Sequence, residues 1–254
     1  MHKGGGTLQG NIYEDEAYAE SYAGLEWGGT YYLVYRDLPG ILGRHVTGRR
    51  ALDFGCGAGR STRLLRSWGF SVTGVDIAES MVRSARKIDP EGDYLLLDDG
   101  DLGRLPAGSF DLVLAAFPFD NVPADEKTGC FRALSRLLGN GGRMVNIVSS
   151  PEMYTHEWAS FSTRDYPENR FAQDGDIVRI VTPEFRNRRP VEDVLCTDEA
   201  YRRIYKQSGL EVMAVYRPLA TGNEGWPWVS ETQVPPWVIY VLARRDDGRP
   251  FVAS

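Results

Sequence analysis

The 254-residue chain carries a formal net charge of −6, which leaves no excess positive field to draw in a polyanion and so excludes a nucleic-acid partner unless a local basic patch supplies one. Its basic clusters, Arg186-Asn-Arg-Arg189 and Arg244-Arg245, are short and flanked by acids, and read as solvated surface. Cys56, Cys130 and Cys196 are odd in number and lack C-x-x-C spacing, which excludes a disulfide framework and a zinc site and suits a reducing compartment.

The N-terminus, Met1-His-Lys-Gly-Gly-Gly-Thr7, has charge but no apolar leader core, and no later run reaches the roughly eighteen apolar residues of a membrane helix. A soluble cytoplasmic protein with no membrane partner is expected. Nothing in the pattern sets an oligomeric state. The length suits one core with an appended lid, not two independent domains. Tyr13 through Tyr35 is aromatic and acidic and predicts two helices, with Tyr18 and Tyr22 on one face and Tyr31 and Tyr35 on another.

Ala51-Leu-Asp-Phe-Gly-Cys-Gly-Ala-Gly-Arg-Ser-Thr62 joins a short apolar strand to a helix start through Gly55, Gly57 and Gly59, which let the backbone turn sharply against a ligand. A dinucleotide fingerprint would need glycine at position 60, where Arg60 stands. A strand at Ser71 to Asp76 follows, and Asp76 lies at the distance, about twenty residues on, where an acid meets ribose hydroxyls. Further elements are a helix at Glu79 to Lys87, strands at Tyr94 to Leu97 and Phe110 to Ala116, a helix at Asp125 to Leu138 ended by Gly139 and Gly141-Gly142, and a strand at Arg143 to Ser149. The alternation builds a parallel sheet covered by helices on both faces.

Pro151 to Pro190 breaks the alternation with Trp158, Phe161, Tyr166, Phe171 and Phe185 among polar residues, too aromatic for disorder. It reads as a substrate cap holding a strand pair, Ile177 to Val181 and Val191 to Leu195. Thr197-Asp198 caps a helix over Glu199 to Ser208, Gly209 ends it, and Leu210 to Tyr216 and Val238 to Ala243 are the last strands.

Asp53 and the glycine run, D-F-G-C-G-A-G-R, resemble motif I of the class I S-adenosylmethionine (SAM) dependent methyltransferases, of the small-molecule, ubiquinone- and menaquinone-biosynthesis-like kind. Ser71 to Asp76, Tyr94 to Leu102, Ser109 to Ala116 and Leu137 to Val145 resemble the later motifs in their order, so the resemblance covers roughly residues 45 to 150. It implies an α/β, Rossmann-like, doubly wound seven-stranded sheet with the last strand antiparallel. The expected divisions are a helical lid at 1–45, the SAM-binding core at 46–150, the inserted cap at 151–195, and completion of the sheet at 196–254.

The resemblance implies SAM as cofactor, S-adenosylhomocysteine as product, and no metal. Tyr22 stands in an A-x-x-Y segment like the one that precedes motif I. Gly55, Cys56, Gly57 and Gly59 would cradle the methionyl end. Asp53 either binds loop amides or meets the amino-acid end of SAM. Asp76 and Ile77 would hold the ribose and adenine side, with Met81 either core or adenine neighbour. Asp99 or Asp101, around Gly100, would meet the adenine amine, and Ala116 would close the floor.

For a small-molecule acceptor the candidates are Phe117, Asn121, Tyr154, His156, Trp158 and Trp228, while Glu231 either meets an acceptor cation or faces solvent. His156, with Glu157 beside it, is the candidate catalytic base, because a near-neutral imidazole by a carboxylate can take a proton from a hydroxyl or amine. Methyl transfer to oxygen, nitrogen or carbon is thus expected. The alternatives are a SAM-binding protein catalysing another reaction and a noncatalytic module that keeps the fold.

Overall fold

A computed structural model describes residues 28–97, 101–182 and 190–245. Strands β1 (Arg50–Phe54), β2 (Ser71–Asp76), β3 (Asp93–Leu96), β4 (Phe110–Ala116), β5 (Leu138–Ser149), β8 (Leu210–Tyr216) and β9 (Trp237–Arg244) form a seven-stranded sheet in the order β3-β2-β1-β4-β5-β9-β8. β1 to β5 pair in parallel, and β9 runs antiparallel to both of its neighbours. The chain order therefore reverses direction between β1 and β4, and ligands of open α/β sheets bind beyond the carboxyl ends of strands at such a point.

Alternate residues of β4 separate the two faces. Leu112 and Leu114 join one core with α1 (Tyr32–His45) and Leu65 of α2 (Arg60–Ser67), while Val113 and Ala115 join the other with α4 (Ala124–Leu137) and α5 (Asp198–Gln207). α3 (Glu79–Ile88) packs Val82 and Ala85 on Cys56 and Tyr94. α1 extends well past Tyr35, and its fully buried Leu33, Val34 and Leu38 face the sheet, so residues 32–45 are a core layer of the sandwich. Apolar spacing there outweighs the missing donor of Pro39 inside the helix. Thr197 caps α5 by accepting from Ala200 N (3.3 Å).

The glycines after α4 belong to strand β5. Phe110 pairs with Leu138 and Leu112 with Arg143, which places Gly139 to Gly142 opposite a single step of β4. A Cβ on Gly142 would stand 2.9 Å from Phe110 O, so the bulge needs glycine there. After β5, a turn at Pro151–Tyr154 leads to a separate antiparallel ribbon, β6 (Ile177–Ile180) with β7 (Val191–Val194). Met153, Tyr154, Trp158, Phe161, Val178 and Ile180 all join the α1 side of the core. Among the described residues no helix is long and apolar enough to cross a membrane.

Candidate functional site

The turn between β1 and α2 closes over the end of β2. Gly55 N and Cys56 N both donate to Val75 O (2.9 and 3.0 Å), and Gly55, Gly57 and Gly59 have φ of 71°, 54° and 79°. A Cβ on Gly55 would lie 2.6 Å from Pro118 Cβ, so the glycine turn is pressed against the segment that follows β4. Asp76, at the end of β2, accepts from Gly57 N (2.8 Å) and Ala78 N (2.9 Å), which brings the predicted ribose acid directly onto the turn. Burial raises its pKa, opposed by the amides of Ala78, Gly57 and Ile77. Ile77, next in the chain, is 55% exposed, an apolar side chain presented beside that carboxylate.

Asp53 is fully buried and ties strand to helix, with Oδ2 accepting from Ser61 Oγ (2.7 Å) and Thr62 Oγ1 (2.6 Å). Its Oδ1 has no partner. Burial pushes this carboxyl up to about 6, the Thr62 and Ser61 hydroxyls pull it down, and the Asp76 charge pushes it up again. A buried carboxylate oxygen without a donor is an uncompensated cost of about 1–3 kcal/mol; this one is sealed from the surface, so a bridging water at the turn would satisfy it and could relay it to a ligand ammonium. The donor set thus fits an amino-acid end at the glycine turn and a nucleoside at Asp76.

Beside the turn lies an aromatic wall. Tyr31 stacks on Trp237 (5.3 Å between centroids), and Phe117 meets both rings at 5.4 and 4.7 Å. Phe117 has φ of 73°, left-handed backbone in a non-glycine residue right after β4, which is the kind of strain found where a site is built. Arg60, first residue of α2, lays its guanidinium over Tyr31 (5.0 Å) and Tyr35 (5.4 Å), so the two tyrosines share a face as their spacing predicts. Burial pushes the Tyr35 phenol up and the Arg60 charge pulls it down. Sequence reasoning used Arg60 only to set aside a dinucleotide turn, and did not pair Tyr31 with Trp237. Only the folded register brings residues 31, 60, 117 and 237 together.

The other predicted residues divide. Tyr22, Asp99 and Gly100 lie outside the described residues. Asp101 accepts from Gly103 N (2.7 Å) at a loop turn, and Ala116 ends β4 half-buried. Met81, 1% exposed, and the Cys56 thiol are core. Trp158 is buried with its indole N–H donated to Met153 O (2.8 Å), and Tyr154 is buried with its hydroxyl donated to Asp193 (3.0 Å). Asn121 donates to Glu192 O and Asp193 Oδ1 (3.0 and 2.7 Å), so Tyr154 and Asn121 are tied to β7 and Trp158 to the turn after β5. Trp228 is half-buried and donates to Glu224.

Glu157, the second catalytic candidate, is held in a turn by local donors. It accepts from Thr163 N (2.8 Å), Ser162 Oγ (2.9 Å) and Thr163 Oγ1 (3.2 Å); burial raises its pKa, and these donors outweigh it and lower the group overall. A saturated, low-pKa carboxylate in a turn is a poor base. Glu231 neither faces solvent nor a ligand, being fully buried on Thr30 Oγ1, Ala159 N and Val229 N. His156 is half-buried, its Nδ1 3.2 Å from Glu152 O and 3.1 Å from Thr155 Oγ1. Among the described residues no three of His, Cys, Asp and Glu stand together as metal ligands.

Known proteins are similar to this chain in sequence and in fold. A family model described as a methyltransferase domain matches residues 52–146. An uncharacterised methyltransferase of Bacillus licheniformis is 30% identical over 147 residues, 56% of this chain and 67% of that protein. The chain belongs to the class I S-adenosylmethionine-dependent methyltransferases. A ubiquinone biosynthesis O-methyltransferase of Xanthomonas oryzae is 35% identical over 103 residues, 39% of this methyltransferase and 42% of the relative. An aklanonic acid methyltransferase of a Streptomyces strain is 35% identical over 108 residues, 39% and 48% of the two chains. The chain thus spans less than half of the length of these last two relatives. In fold it resembles the CcbJ methyltransferase of Streptomyces caelestis, with a TM-score of 0.63 at 18% identity over 94% of this chain and 100% of that one.

Proposed function

We propose that this methyltransferase moves the methyl group of SAM to a nucleophilic oxygen, nitrogen or carbon of a small, planar or partly apolar acceptor. The observation that carries the reading is the Asp76 carboxylate held on Gly57 N (2.8 Å) beside the unpartnered Oδ1 of Asp53, a paired nucleoside and amino-acid receptor at one sheet edge. Bound SAM would supply an electrophilic methyl on its sulfonium. Asp76 would accept the ribose hydroxyls, Ile77 would pack on the adenine, and Asp53 Oδ1 would meet the ammonium through a bridging water. The N–H groups at the start of α2 favour a carboxylate.

The chain's own contribution to chemistry is positioning and exclusion of water, which alone supply a large share of a displacement barrier. The half-buried Phe117 and Tyr31 would offer flat apolar surface to the acceptor, backed by the buried Trp237. His156 is the proposed base. Donation of Nδ1–H to Glu152 O would leave Nε2 as the acceptor of a proton. The names of the relatives, one for O-methylation in ubiquinone biosynthesis and one for aklanonic acid, support a small organic acceptor. Incubation with labelled SAM and a panel of hydroxylated and amino aromatics, with and without EDTA, tests the reading. S-adenosylhomocysteine together with a methylated product in both arms is the expected result. A protein that binds no SAM, or cleaves it without methylating, would sink it, and restoration by a metal would overturn the metal-free assignment.

A further inference from the structure

The aromatic wall is fastened from behind by a knot of buried polar groups that the proposed chemistry does not use. Glu231, in the loop before β9, is fully buried; its Oε1 accepts from Thr30 Oγ1 (2.7 Å) and Ala159 N (2.7 Å), and its Oε2 from Val229 N (2.9 Å). Thr30, also fully buried, lies just before α1. Its Oγ1 accepts from Ser160 N (3.1 Å), and its own N–H donates to Ser160 Oγ (3.1 Å). Its carbonyl receives the indole N–H of Trp237 (2.8 Å). Gly29, at φ of 59°, permits the close approach, because a Cβ there would run into Ser160 Oγ. Segments around residues 30, 160 and 231 thus meet on one carboxylate.

The rings of the wall stand one step from this knot. Tyr31 follows Thr30, Phe161 follows Ser160, and Trp237 is hydrogen-bonded to Thr30 itself. They close on one another, Tyr31 with Phe161 at 5.3 Å, Tyr31 with Trp237 at 5.3 Å and Phe161 with Trp237 at 5.8 Å between centroids. Phe117 meets Tyr31 and Trp237 from the end of β4. Ring contacts alone admit offset and edge-to-face arrangements alike, whereas a fully satisfied buried polar network specifies one. A carboxylate taken out of water is costly unless its donors stay in place. Parting any of these segments from Glu231 is therefore penalised.

We propose that Glu231 and Thr30 are positioning residues for the acceptor, a carboxylate–hydroxyl knot that fixes Tyr31 and Trp237 in the arrangement a flat acceptor ring needs. This rests on the reading of the wall as the acceptor surface. The cofactor end does not share the knot: Asp76 is held by Gly57 N and Ala78 N, and the glycine turn by Val75 O. The knot therefore sets acceptor affinity and leaves cofactor affinity alone.

Titration of the full chain with 2-naphthol, a flat neutral phenol read by its own fluorescence, tests the knot without any turnover. Thr30→Val keeps the shape of the side chain and removes its bonds to Glu231 and Ser160 N, while Glu231→Gln turns an amide NH2 toward donors. Each should weaken naphthol roughly threefold to tenfold, the worth of one aromatic pair, with S-adenosylhomocysteine affinity unchanged by calorimetry. Thr30→Ser, which restores the hydroxyl, should bind naphthol as the wild type does. Ser160→Ala removes only the bond from Thr30 N and should fall between them; should the first two variants fail to fold, it decides, and wild-type affinity in it overturns the proposal. Wild-type naphthol affinity in folded Thr30→Val and Glu231→Gln, even with a lowered melting temperature, also overturns it and leaves the knot a stability element. So does a loss shared equally by naphthol and S-adenosylhomocysteine. A wild type that binds no naphthol removes the wall as an acceptor surface, and the proposal with it. Naphthol binding by the wild type and its loss in the variants are separate readings, so the wall and the knot fail distinguishably.

Discussion

At the scale of single residues, the site is a division of labour between acids. Asp76, the proposed ribose acid, accepts from the loop amides of Gly57 and Ala78, which fix its carboxylate. Asp76→Ala should therefore weaken SAM binding by about 1.5–3 kcal/mol, roughly tenfold to a hundredfold, measured by calorimetry on a variant whose circular dichroism is unchanged. Equal affinity would remove Asp76 from the site. For His156 the expectation is a fall in kcat of about 10² to 10⁴ in His156→Gln with SAM affinity kept, and loss of the ascending limb of the pH profile. Normal turnover would leave positioning alone to carry the reaction. Asp53 and Asp76 were legible because glycine spacing and strand length fix where a strand-end acid must sit. Asp193, Glu231 and Arg60 were not, since their roles arise from contacts between segments far apart in sequence, such as Thr30 with Glu231 at a separation of 201 and Tyr154 with Asp193 at 39.

At the scale of elements, the glycine turn combines two constraints that substitutions can separate. Gly55 has φ of 71° with Pro118 in the place of a Cβ, whereas Gly108 has φ of 68° with nothing within 4 Å. Gly108→Ala should cost only the left-handed backbone, about 1–2 kcal/mol. Gly55→Ala should cost more, because the turn must also retreat from Pro118, and only this variant should lose SAM affinity. Denaturant unfolding and calorimetry of both variants check this, and equal costs with equal affinities would mean that the turn tolerates a shift. The same physics explains what the sequence disclosed. Short apolar runs alternating with amphipathic segments announced the parallel strands and α2 to α5. The glycines after α4 read as a helix stop because they also end one, yet their tight approach to Phe110 O exists only once β4 and β5 pair. Pro39 and two glycines concealed the length of α1, whose buried face becomes visible only against the sheet.

At the scale of the whole molecule, the glycine turn, the Asp76 end of β2 and the aromatic wall are held by different elements, β1, β2, β4, β9 and the start of α1, so a ligand that spans them ties the sandwich together. The seven-stranded sheet and the antiparallel β9 were expected from the resemblance, and the two-faced core follows from the period of two along β4. A ligand that binds only the folded state stabilises it by RT ln(1 + [L]/Kd), about 2.7 kcal/mol at a hundredfold excess over Kd. With about 2–4 °C per kcal/mol for chains of this size, saturating SAM or S-adenosylhomocysteine should raise the melting temperature by roughly 5–10 °C. Asp76→Ala at the same ligand concentration should lose about 1.4–2.4 kcal/mol of that stabilisation, since its weaker affinity lowers the occupancy term directly. NAD should give no shift, because Arg60 occupies the position where a dinucleotide turn requires glycine. Scanning calorimetry with each ligand decides the matter: a shift with NAD and none with SAM would mean that the turn at Gly55 to Gly59 serves a different cofactor.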